Sequence, residues 1–166
     1  MVNRKLGTTD LEISPLGMGT IQMTRLPWTE SLDVIRGVHD LGVNWFDTAQ
    51  GYLDSELRLG EALRGTRNKV VLITKSGASD SDTLAEHVEA SLRRLETDYI
   101  DVFFLHGGSA VMADDFSANG GLLEAASRFV EQGKIRYLGF SAHRPEVALR
   151  ALDFPQFRVA MIPANY

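Results

Sequence analysis

Four side chains in this sequence have the types and placement needed to manage a proton beside an oxyanion. The run over 43–60, VNWFDTAQGYLDSELRLG, carries Asp47 at the end of an apolar stretch and Tyr52 five positions later. Two further apolar stretches, VVLITK and IDVFFLH, end on Lys75 and His106. When a carbonyl accepts a hydride, the resulting oxyanion must be protonated. A tyrosine hydroxyl, with an unperturbed pKa of about 10, is a weak acid for this near neutrality, and a close ammonium makes it a better one. Lys75 could supply that ammonium. Asp47 could keep a buried lysine charged. His106 could hydrogen-bond the substrate oxygen or assist proton transfer. Each group has a separate role, and none requires a metal.

Taken singly, each has an ordinary reading. Asp47 could cap a turn with the help of Thr48. Tyr52 could be half-buried packing. Lys75 could be a solvated strand terminus, and His106 a satisfied core histidine. The functional reading rests on all four falling at comparable places in successive elements. His39 and His87 sit in helical patterns and read as surface residues. His143 reads as a rim residue or as a cap for the following helix.

The elements that would position these groups alternate regularly. Short apolar runs around Gly7-Thr8-Thr9-Asp10 predict a β-hairpin. Strands are expected over 15–19, 43–48, 70–74, 99–105, 135–141 and 159–164. Helices are expected over 29–41, 55–63, 83–95, 122–131 and 145–152. Thr29 and Ser55 are the expected N-caps of the first two, and Thr83 with Glu86 has capping-box spacing. Gly42 and Gly133 are the expected stops.

This βα alternation predicts a parallel sheet with right-handed crossovers. An open doubly wound sheet and a (β/α)₈ barrel both fit. The barrel is favoured because Asp47, Lys75, His106 and Ser141 all fall at the C-terminal ends of strands, where barrels carry their chemistry. Gly17-Met18-Gly19 is only half of a dinucleotide fingerprint. A barrel has eight strands, and about six are expected here. The chain therefore reads as part of a longer protein, or as one whose open edge is covered by another chain or a second copy.

The composition narrows the partners. The chain has 166 residues, 44% of them hydrophobic, and a net charge of −5 with no basic stripe, so nucleic acid is not expected. There is no cysteine, which removes disulfides and thiolate metal sites and suits a reducing cytoplasm. MVNRKLGTTD lacks the apolar core of a secretory signal, and no apolar run reaches the length of a membrane helix.

Several segments carry a resemblance to a known family. FDTAQGYLDSELRLGEAL, ITKSG, DVFFLHG and GKIRYLGFSAH resemble, in order, signatures of the aldo-keto reductase superfamily. SLRRLETDYID and RKLGTTDLEISPLGMGT are similar too, so the resemblance covers essentially the whole chain. It is most similar to bacterial members with His-Gly after the fourth strand and Gly-Phe-Ser-Ala-His in the fifth. Some of these carry a C-terminal ferredoxin-like extension, of which a cysteine-free chain gives no sign.

The resemblance implies a single domain over 1–166, forming about the first six βα units of a (β/α)₈ TIM barrel with an N-terminal hairpin. It implies reduction of an aldehyde or ketone with NADPH as cofactor, and a catalytic tetrad of Asp47, Tyr52, Lys75 and His106. Cofactor contacts would fall on Gly19, Thr20, Asp47 and Ser141. The family often follows that Ser with Asn, where this chain has Ala142 and His143. It often has Gln where this chain has Met161. His143 and Asn165 are the residues that could take over nicotinamide recognition. Trp28, in the loop expected after the first strand, joins Tyr52 and His106 as a substrate contact. The expected partner is a small carbonyl compound, with neither nucleic acid nor membrane. Two other classes fit less well. One is a non-catalytic cofactor-binding subunit. The other is a metal-dependent barrel hydrolase, whose converging histidines the first strand lacks.

Overall fold

The computed structural model describes residues 1–107 and 121–163. A hairpin of β1 (Arg4–Lys5) and β2 (Glu12–Ile13) comes first, turning through Gly7 at a φ of 55°. Six strands then pair in parallel, in chain order: β3 (Met18–Gly19), β4 (Trp45–Asp47), β5 (Val71–Ser76), β6 (Ile100–Gly107), β7 (Ile135–Ala142) and β8 (Phe157–Met161). Between them run α1 (Trp28–Asp40), α2 (Ser55–Ala62), α3 (Ser81–Arg94), α4 (Leu122–Glu131) and α5 (Pro145–Ala151). The expected alternation is therefore present, and sequential pairing is what right-handed βαβ crossovers produce.

The side-chain alternation of the strands sorts the core into two layers. Phe46, Leu72, Phe103, Leu105, Leu138 and Phe140 pack with the apolar faces of the helices. Val71, Ile73, Val102 and Phe104 point to the other side and pack with Leu11 of the hairpin. The period of two along each strand then assigns the polar residues to a face. Lys75 continues the face of Val71 and Ile73, and His106 continues that of Val102 and Phe104. Asp47 follows Trp45, and Ser141 lies two residues beyond Gly139, which must be glycine for a packing reason. A Cβ there would come within 2.4 Å of the Val159 carbonyl oxygen and 2.5 Å of the Phe104 ring.

The hairpin is latched beneath this layer by Asp10, which accepts from Arg136 at 2.8 Å and from the Tyr137 hydroxyl at 2.9 Å.

Helix ends depart from the sequence reading in three places. Thr29 lies inside α1, which begins at Trp28 behind Pro27. Ser55 is the first residue of α2, with Asp54 preceding it. Asp80 caps α3 by accepting from the Thr83 backbone N–H at 2.8 Å, which displaces the expected Thr83–Glu86 box. Gly42 and Gly133 do end their helices, at φ values of 93° and 74°.

Candidate active site

Asp47 ends β4, and its backbone is clamped before its side chain acts. Its carbonyl accepts from both the N–H and the hydroxyl of Thr20, each at 2.9 Å. Thr20 has thus spent its only hydroxyl proton, so Ser55, 2.7 Å away, donates to Thr20. Thr48 in turn donates to Ser55 at 2.9 Å. This one-way chain of three buried hydroxyls ties β3, β4 and α2 together. It fixes both ends of the loop that carries Tyr52. Within that loop, Tyr52 N–H donates to Ala49 and Gln50 N–H donates to Lys75, each at 3.0 Å. Leu53, 81% exposed, holds a left-handed φ of 49°, a conformation costing a branched residue on the order of 1 kcal/mol.

Lys75 is 5% exposed. Its Nζ donates to both Asp47 oxygens at 2.8 and 2.7 Å and to the Thr48 carbonyl at 2.9 Å. Those bonds use all three ammonium hydrogens. The Nζ also lies 4.9 Å from the Tyr52 ring centroid, a cation–π distance. Lysine therefore meets tyrosine through the ring face while Asp47 and Thr48 hold it. Burial pushes the Asp47 carboxyl above its usual range, against the charge and hydrogen bonds of Lys75.

His106 sits opposite Ser141 in the β6–β7 register, and its Nδ1 is 2.6 Å from the Ser141 hydroxyl. The His143 ring meets it edge-on, with centroids 5.7 Å apart. Burial chiefly, then the positive charges of Lys75 and His143, hold His106 below the ordinary histidine value. These surroundings favour the neutral ring. Removing one cationic neighbour must ease protonation, so Lys75→Met is expected to raise the His106 titration midpoint, followed through its Cε1 proton by NMR. A midpoint that stays put or falls would contradict the coupling.

Two cavities meet at these groups. One, of about 300 Å³, is lined by Gln50, Tyr52, Lys75, Gly77, His87 and His106, among others. The second, of about 230 Å³, lies toward β7 and β8, against Ser141, His143 and Met161. Tyr52, Lys75 and His106 line both and stand between them. Asp47 borders the second.

The remaining expected residues are placed unequally. Gly19 is exposed at the end of β3, with open space where a Cβ would stand. Thr20 is fully buried and holds Asp47, so its hydroxyl does not face a ligand. Ser141 is buried against His106, and His143 is exposed at the rim. Asn165 lies outside the described residues. Trp28 lines neither cavity. It opens α1, stacks under Arg58 at 4.9 Å and donates to Glu61 at 3.0 Å, so the expected substrate contact is replaced by a helix-to-helix one. His87, expected at the surface, is half-buried with Nδ1 2.7 Å from the Ser76 hydroxyl. The available signal is its spacing of three residues after buried Leu84, which puts both on the sheet side of α3. Among the described residues no group of three or more metal-ligating side chains converges, and no helix is long and apolar enough to cross a membrane.

Known proteins resemble this chain in sequence and in fold. The model of the aldo/keto reductase family matches residues 15–166. The uncharacterized oxidoreductase YqkF of Bacillus subtilis is 35% identical, over 89% of this chain and 51% of its own length. Methylglyoxal reductase YeaE of Escherichia coli is 34% identical, over 80% of this chain and 46% of its own. The holo form of the aldo-keto reductase AKR11C1 from Bacillus halodurans superposes with a TM-score of 0.88 at 34% identity, covering 99% of this chain and 58% of that one. The chain thus spans about half the length of the curated relatives it matches. With its six parallel strands corresponding to part of a (β/α)₈ barrel, this chain belongs to the aldo/keto reductase family.

Proposed function

We propose that this chain carries the proton-donating machinery of an NADPH-dependent reductase of aldehydes and ketones. The observation that carries this reading is a lysine held by Asp47 and the Thr48 carbonyl beneath the face of Tyr52, with His106 lining the same cavities. Oxidoreductase chemistry on carbonyls is the family's. The assignment of steps to residues is ours.

The cavity toward β8 suits the nicotinamide end of the cofactor. It has an apolar wall at Met161 and Ile162 and polar edges at Ser141 and His143. Gly19 leaves backbone accessible at the end of β3, and Asn165 is a further candidate contact. When bound, nicotinamide supplies the hydride. This chain's residues do the rest. Neutral His106, with Nδ1 accepting from Ser141, presents Nε2–H to the carbonyl oxygen and orients it. As negative charge develops there, Tyr52 Oη delivers its proton to that oxygen. The fixed positive charge of Lys75 under the ring stabilises the phenolate left behind. Asp47 keeps Lys75 charged and in place.

NADPH is the cofactor expected from the resemblance, and relatives divide. An Escherichia coli relative is named an NADH-specific methylglyoxal reductase, and a Klebsiella pneumoniae aldo/keto reductase was crystallised with NADP and acetate. The test is absorbance-monitored oxidation of NADPH and NADH over a panel of small aldehydes and ketones. Carbonyl-dependent oxidation, faster with NADPH, is the expected result. No carbonyl-dependent oxidation with either cofactor would overturn the reading.

A further inference from the structure

Glu56 stands in the first turn of α2, directly after Ser55, and is 1% exposed. A carboxylate taken out of water is costly unless donors meet it. Thr74, fully buried, donates its hydroxyl to one oxygen at 2.7 Å. The other oxygen meets Arg94 Nη1 at 3.3 Å, and the same nitrogen reaches the Gln50 backbone carbonyl at 3.5 Å. Both contacts are long, so Arg94 acts as a charge set between two acceptors rather than through one tight bond. Thr74 immediately precedes Lys75, and Gln50 N–H donates to the Lys75 carbonyl at 3.0 Å. The contacts therefore close a ring. It runs from Glu56 to Thr74, along the chain to Lys75, across to Gln50, and through Arg94 back to Glu56. Gly60, one turn along α2, sets where Arg94 stands: a Cβ there would come within 2.5 Å of the Arg94 carbonyl oxygen. Neither Glu56 nor Arg94 lines the two cavities at the reacting groups.

We infer that Glu56 is a positioning residue for the proton transfer. Through Arg94 it holds the loop at Gln50, two residues before Tyr52, and through Thr74 it holds the strand end that carries Lys75. The Tyr52 ring is thereby kept over the ammonium. This rests on the carbonyl-reductase reading. A buried ion pair is a weak device for stability, since apolar side chains fill the same space at least as well. What it adds here is geometry, because its partners lie on β5, α3 and the loop, which nothing else joins at one point.

Glu56→Gln keeps the shape and an acceptor for Thr74 but loses the charge that draws Arg94. Arg94→Met removes the link from the other side, at a side chain 34% exposed, and keeps the test open if Glu56→Gln does not fold. With NADPH and the fastest carbonyl of the panel, each should lower kcat by about tenfold to a hundredfold, the scale of a misplaced reacting group. KM for the carbonyl should stay within about twofold, because the lost geometry matters in the transition state. Arg94→Lys, which keeps a positive charge, should recover most of the loss. A rise in KM with kcat unchanged, or no recovery in Arg94→Lys, would overturn the assignment. A second readout needs no substrate. In amide hydrogen exchange of the full chain, the Gln50 and Tyr52 amides should exchange at least about tenfold faster in Arg94→Met, while the β6 amides keep their rates. Equal acceleration throughout would mark a merely stabilising pair, and unchanged rates at Gln50 and Tyr52 would mark no hold on the loop; either overturns the inference. Failure of wild type to reduce any carbonyl of the panel would count against the reductase reading, while the exchange result still decides whether Glu56 and Arg94 hold the loop.

Discussion

Tyr52→Phe is expected to lower carbonyl turnover by about a hundredfold to ten-thousandfold, the range a positioned general acid supplies. Cofactor affinity should move little. The substitution removes one oxygen and keeps the ring, and the ring is what lies over Lys75 at 4.9 Å. Lys75 itself is held by Asp47 and Thr48, so losing the phenol oxygen frees no charged partner and leaves the local geometry intact. Single-turnover rates at saturating cofactor, paired with a fluorescence titration of cofactor binding, separate the two effects. A variant that loses chemistry and binding together would point to a collapsed loop. A variant that keeps full turnover would remove Tyr52 as the acid and leave His106 as the group delivering the proton.

The placement of Lys75 and His106 is legible because strand geometry writes itself into sequence. Val71, Ile73 and Lys75 share one face of β5, and Val102, Phe104 and His106 share one face of β6. An apolar alternation that ends on a charged or titratable residue marks the rim of a buried face. The features that escape a sequence reading depend on partners far away in the chain. Thr20 has the position of a ligand contact, but Ser55 and the Asp47 carbonyl claim its hydroxyl, and nothing in local spacing announces a bond across 35 residues. The place of Trp28 after the first strand suggests a pocket residue. Arg58, buried and bonded to the Met23 and Leu26 carbonyls, draws it onto α2 instead. His87 escapes because it is itself polar. Its spacing from Leu84 places it on the sheet side of α3, and the Ser76 hydroxyl shows what the ring meets there.

The Asp47–Lys75 pair should show a strong coupling between two individually damaging changes. Asp47→Leu would leave a lysine that is 5% exposed with one of its three acceptors, the Thr48 carbonyl. An uncompensated buried charge of this kind costs about 3–5 kcal/mol. Lys75→Met leaves the opposite problem, a buried carboxylate, but that group can escape by taking up a proton. Linkage gives the direction with pH. Burial already raises Asp47 above its unfolded value, so the folded protein holds this proton to higher pH than the unfolded chain does. Its contribution to stability is therefore present below the unfolded pKa and lost as pH rises through the folded one. Without Lys75 to oppose burial, Lys75→Met should lose more stability than wild type between acid and neutral pH. The double variant Asp47→Leu/Lys75→Met buries no charge and should recover most of the loss seen in Asp47→Leu, because replacing a buried pair by apolar groups is often neutral or stabilising. Activity should not return with it, since nothing positive then lies under Tyr52. Denaturant melts of the four proteins at acid and neutral pH give the coupling energy directly. Strictly additive single effects would mean that the ion pair does not act as a unit, and would detach Asp47 from the mechanism.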